Sequence, residues 1–105
     1  MARVEVHAGI CAMRTQIVAT ALNDGQTISL KVESDCEHVR KLIEELGEVN
    51  AYQEISYRRM GPRTLHLAPQ CLPHPACPVP AAIIKAIEVA AGLALPKDVT
   101  ITVTR

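Results

Sequence analysis

Three side chains able to hold a soft metal ion fall within one short segment, Cys71-Leu72-Pro73-His74-Pro75-Ala76-Cys77. The spacing is C-x-x-H-x-x-C. Thiolate and imidazole are ligands that zinc and iron accept, and two-residue gaps let one loop close around one ion. Pro73 and Pro75 would hold the loop's shape before a metal arrives. Two more cysteines lie upstream, Cys11 in a turn after Gly9-Ile10 and Cys36 at the start of a helical pattern. Cys77 stands at the start of another helix, just before Pro78. The free N–H groups and dipole of a helix N-terminus favour an anion there. All four cysteines fall at ends or turns, and none lies inside an alternating core face. If those ends gather on one edge of a sheet, Cys11, Cys36, Cys71 and Cys77 form a four-thiolate pocket, with His74 able to replace one of them. Such a ligand set suits zinc or an iron–sulfur cluster.

The same residues support two other readings. In a thiol-based redox enzyme or sensor, Cys77 or Cys36 is the reactive thiolate. A second cysteine then resolves it by forming a disulfide, and His74 or His38 serves as base. In a non-catalytic, homo-oligomeric interaction module, the cysteines are inert and fill space, as buried thiols often do. His38 falls on a different side of its helix from Cys36 and is expected in solvent. His7 and His66 fall in predicted strands and read as structural. Arg40, Lys41, Glu44 and Glu45 form the solvated face of the first helix. Lys85 and Glu88 pair on the second. Arg58, Arg59 and Arg63 form a small basic patch around a Gly-Pro turn. No Gly-rich phosphate loop, paired-carboxylate motif or nucleophile elbow occurs, so no catalytic residue is assigned.

The elements that must position these residues follow from periodicity. Arg3–Ala8, Thr15–Leu22 and Thr27–Glu33 alternate or are β-branched, and read as three strands. Asn23-Asp24-Gly25 is a hairpin turn between the second and third. At Ser34 the period changes. Ser34 and Glu37 fit a capping box, Val39, Leu42, Ile43 and Leu46 follow helical spacing, and Gly47 supplies the stop. Residues 48–60 fit either a short strand or an irregular helix. Thr64–Ala68 reads as a strand, and the proline-rich stretch 69–80 as a rigid loop. A second helix starts near Pro78 and stops near Gly92. Val99, Ile101 and Val103 alternate with threonines as a final strand. The expected order is β-β-β-α-(β)-α-β. This is a single α+β domain spanning residues 1–105, with one mainly antiparallel sheet covered on one face by two helices.

Composition narrows the function classes. The chain has 105 residues, 49% of them hydrophobic, so it can bury a core. Lys+Arg and Asp+Glu are both 11, and aromatics make up 2%. The charge balances to zero and only two tyrosines could stack, so nucleic acid is not an expected partner. The longest apolar run, Pro78 to Leu95, is interrupted by Lys85 and Glu88 and reads as a packed helix, not a membrane span. The N-terminus carries Arg3 and Glu5 and does not read as a signal peptide. A cytoplasmic setting follows, in which thiols stay reduced or bind metal. The expected partners are a second copy of the chain, as a homodimer, or a protein that receives metal or electrons.

The segments Ala8-Gly9-Ile10-Cys11, His74-Pro75-Ala76-Cys77-Pro78-Val79-Pro80 and Lys85 through Pro96 resemble a small family of uncharacterised proteins, a domain of unknown function, from anaerobic prokaryotes. That likeness covers nearly the whole chain. It implies an oxygen-poor cytoplasm, where iron–sulfur chemistry is common, and transfers no catalytic residue. The cysteine placed before a helix is also similar to the iron–sulfur scaffold domain of the NifU type. That domain carries a C-x-x-C pair, whereas Cys71 and Cys77 stand six apart.

Overall fold

The computed structural model describes residues 1–105. Three strands, β1 (Ala2–His7), β2 (Arg14–Ala21) and β3 (Thr27–Ser34), form an antiparallel meander. Alternation decides which face they bury. Ala2 and Val6, then Thr15, Ile17 and Ala19, then Ile28 and Leu30, are buried on one side. Arg3, Glu5, Lys31 and Glu33 stand exposed on the other. The β2–β3 turn is fixed by Asp24. Its Oδ1 accepts from the amides of Gln26 (3.0 Å) and Thr27 (2.8 Å), and its Oδ2 accepts from the Thr27 hydroxyl (2.6 Å). The Thr27 hydroxyl foremost, then these amides, hold the Asp24 carboxyl below its ordinary value.

After β3 the chain turns into α1 (Glu37–Leu46), which packs back along β3. Its buried residues are Val39, Leu42, Ile43 and Leu46, the spacing expected from sequence. Gly47, at φ 58°, ends it as expected, because a left-handed residue there costs glycine little. The cap differs from the expected box. Cys36 occupies the N-cap, and the Ser34 hydroxyl instead accepts from the Cys36 amide (3.1 Å) and bonds the Thr15 hydroxyl (2.7 Å). A short β4 (Glu48–Asn50) adds to the β3 edge, giving the order β1-β2-β3-β4. One helical turn follows, α2 (Ala51–Glu54), capped by the Asn50 side chain. These two elements resolve the ambiguous stretch 48–60. Tyr52 on α2 and Tyr57 beyond it are both exposed, so no aromatic ring enters the core.

The expected strand at Thr64–Ala68 is part of a helix, α3 (Arg63–Cys71), which takes His66 with it. Thr64 and Cys71 are buried and Leu67 and Ala68 half-buried, so the inward stripe is 64, 67, 68, 71. That is helical spacing, hidden in the sequence because its two ends are a threonine and a cysteine. The alternation of Leu65 and Leu67 is too short to outweigh it. Pro69 lies inside α3, so the irregular connection is shorter than residues 69–80. Helix α4 (Val79–Ala90) starts after Pro78 and carries the Lys85–Glu88 pair at 3.8 Å. It lies across β1 and β2 and buries Val79, Ile83, Ala86 and Ile87. Gly92 follows its end at φ 74°, where a stop was expected.

The final strand does not form. Residues 95–105 have no regular structure, and Val99, Ile101 and Val103 are exposed. Alternation gives a segment the capacity to pair, but a strand exists only where an edge receives it. The α+β architecture therefore stands, with three strands and a short fourth, and with α1 and α4 laid on one face of the sheet. The core is aliphatic: Ile17, Ile28, Leu42, Ile83 and Ile87 are fully buried. Each contributes about 1.5–3 kcal/mol of transfer free energy. No helix is long and apolar enough to cross a membrane.

Candidate functional site

Chain direction sorts the cysteines. β1 finishes at His7, opposite Arg14, where β2 begins; Thr15 then pairs with Ser34 near the finish of β3. The β1–β2 loop with Cys11 and the start of α1 with Cys36 therefore lie at the same end of the sheet. Helix α3 starts at the other end. Its first residue, Arg63, donates from its guanidinium to the carbonyls of Leu46 (3.3 Å) and Glu48 (3.4 Å), at the finish of α1. Since α3 packs against α1 from that starting point, it runs back towards the start of α1 and finishes there with Cys71. The 72–78 connection and the start of α4 follow at the same end, and they bring Cys77 and His74. By chain direction all four cysteines fall towards one end of the domain, without meeting in a common site.

Their surroundings differ. Cys71 belongs to the core, and Cys36 and Cys77 are partly buried against it. Cys11 is exposed. Its turn closes through the Ala12 amide donating to the Gly9 carbonyl (2.9 Å), with Ala12 itself at φ 59°. A side chain in that left-handed region costs about 1–2 kcal/mol, so the turn carries strain. Ile10 beside it is fully exposed and Met13 partly so. His74 is exposed in the proline-rich loop, where its carbonyl accepts from the Cys77 amide (3.3 Å). Neither α1 nor α4 receives a side-chain hydrogen bond at its N-terminus. All four thiols are free of disulfides. In this conformation no three of the chain's His, Cys, Asp and Glu side chains stand close enough to hold a metal ion. The expected four-thiolate pocket is not formed. Cys71 turns inward to the core while Cys11 stands out on a loop.

His38 is exposed on α1, as expected, and His7 ends β1 on the open face of the sheet. An open polar depression of about 390 Å³ lies there, lined by Glu5, His7, Arg14, Gln16, Glu33 and Asp35 among others. The Arg14 amide donates to Asp35 Oδ2 (3.1 Å) at its rim. None of its lining residues is a cysteine.

The opposite end holds a group the sequence did not reveal. Glu54 is fully buried. Its Oε1 accepts from the Thr64 amide (2.9 Å) and hydroxyl (2.5 Å), and its Oε2 accepts from the Arg63 amide (2.8 Å). A carboxylate from α2 thus caps the first turn of α3, where unpaired N–H groups and the helix dipole favour a negative charge. The signal was weak in sequence because the capping residue lies ten positions upstream of Thr64. Arg63, read there as part of a basic patch, is committed to the two carbonyls already described. His66 on α3 bonds the Met60 carbonyl through Nε2.

The fold and these two ends define a small α+β domain: an antiparallel meander with helices packed on one face and four free thiols at one end. The chain belongs to a family of unknown function, DUF6951, whose model matches residues 2–103. No curated protein and no solved structure matches it.

Proposed function

We propose that this chain binds a transition metal or an iron–sulfur cluster through its cysteine thiolates, as a carrier, scaffold or redox accessory. The observation that supports the reading is that four free cysteines, from three separate connections, fall towards one end of a small domain. Cys71 in the core, with Cys36 and Cys77 packed against it, would supply three of the ligands once the sulfurs are drawn together. Cys11, on its strained and exposed turn, completes the set by folding over the end, and His74 is the alternative fourth ligand. Binding displaces the thiol protons, so affinity rises with pH. Closure of the 8–13 and 72–78 loops then accompanies loading. An anaerobe's cytoplasm, the setting implied by the sequence resemblance, suits a reduced thiol set of this kind.

The test is elemental analysis with an ultraviolet–visible spectrum on protein purified without oxygen. Zinc without colour supports a closed structural site. Iron and sulfide with a brown chromophore support a cluster. Protein that holds no metal, takes up neither zinc nor a reconstituted cluster, and titrates four free thiols overturns the reading. In that case a single fast-reacting thiol at Cys77 or Cys36 would favour the redox alternative.

A further inference from the structure

Strand β1 borders only β2, so its outer edge, Ala2–His7, has no strand beside it. On its inward side Val4 stays half-buried, between Ala2 and Val6, which are buried. At the far end of the chain, Val99, Ile101 and Val103 are 57%, 74% and 87% exposed. Thr100, Thr102 and Thr104 alternate with them. No backbone hydrogen bond joins any residue after Leu93 to the body. The molecule measures 44 × 28 × 27 Å, longer in one direction than in the other two. The family match runs to residue 103, so this tail is part of the shared domain and not an appendage.

From these features we infer that residues Val99–Thr104 of one copy add as an outer strand to the β1 edge of a second copy, reciprocally, in a two-fold dimer. The tail matches β1 in length. Its β-branched alternation places Val99, Ile101 and Val103 beside Val4 and the flank of α4. Its threonines then lie beside Arg3, Glu5 and His7. Between Asp98 and Arg105 the tail is uncharged, so it brings no like charge against that face. Main-chain ladders supply the affinity in strand addition of this kind, and alternate side chains set the register. A second copy is the fitting occupant because each chain carries both halves, a free edge and an unpaired strand. Reciprocal exchange occupies both edges and stops at two, where one-way addition would grow a filament.

The test is sedimentation of the full chain, from micromolar to millimolar concentration, beside Ile101→Pro and a chain ending at Pro96. Proline at 101 removes a ladder donor at an exposed position and leaves the body intact. The full chain is expected at about twice 11.4 kDa and both variants at the single-chain mass, with thermal unfolding of the body retained. A full chain that stays monomeric throughout overturns the inference. So do truncated chains that still dimerise, or full chains that assemble beyond two.

Discussion

The two ends of this domain are built on opposite plans. At one end a buried carboxylate, Glu54, accepts three hydrogen bonds and fastens α2 to the start of α3. Both carboxylate oxygens are paired, and the Arg63 guanidinium bonds the carbonyls at the finish of α1. At the other end, two helices start without any side-chain cap, and four free thiols lie at helix ends or in loops. Sulfur is a weak hydrogen-bond partner, so these thiols add little polar bonding to the fold, although Cys71 fills part of the core. One end is therefore fastened by the chain's own side-chain hydrogen bonds, while the other leaves four thiols unbonded to one another.

That contrast can be broken first at Glu54. Glu54→Ala strands the amides of Arg63 and Thr64 and the Thr64 hydroxyl. Each unsatisfied buried group costs about 1–3 kcal/mol, so we expect a loss of about 3 kcal/mol or more in urea unfolding. That is a large share of a total near 5–15 kcal/mol. A loss below about 1 kcal/mol would show that water or a rearranged helix start satisfies these groups, and the ends would no longer differ.

Thr64→Val tests the same network more gently. It removes one hydroxyl donor and keeps the shape, and we expect a cost of about 1–2 kcal/mol in the same assay. At the thiol end, Cys11→Ser should leave the metal-free protein within about 0.5 kcal/mol of the parent, since an exposed position contributes little. It should nonetheless weaken metal retention in a chelator competition. Equal stability and equal metal retention would remove Cys11 from the proposed ligand set.

The smallest effect is expected at the β2–β3 turn. Asp24 has its carboxyl pKa lowered in the folded state, so its charge favours folding above the unfolded-state value, near 3.9. That contribution fades as pH falls through the lowered folded-state value. Asp24→Asn should therefore melt slightly below the parent at neutral pH, with the gap closing in acid. A gap independent of pH would assign the turn's stability to shape and not to charge.

How much of this was legible beforehand differs by region. The meander, α1 and α4 were readable because their inward residues are aliphatic and repeat over many positions. Helix α3 was not, because its stripe begins at Thr64, ends at Cys71 and contains Pro69. The tail misled for the opposite reason: its pattern is good, but the sequence does not say whether an edge receives it. Turn positions placed the four cysteines at element ends, and chain direction brings those ends together. How near the sulfurs approach depends on loop conformation, which spacing does not encode. Glu54 was missed because its partners lie across a turn with no periodic signature.

The tyrosines have a spectroscopic consequence. Tyr52 and Tyr57 are the only aromatic residues, and both are exposed near the carboxylate end. Intrinsic fluorescence therefore watches α2 and its neighbourhood, and is nearly blind to the cysteines. With no tryptophan, the near-ultraviolet background above tyrosine absorption is almost empty. An iron–thiolate charge-transfer band would stand alone there, whereas bound zinc is colourless. Iron loading and local unfolding near α2 could then be followed as two separate optical signals in one cuvette.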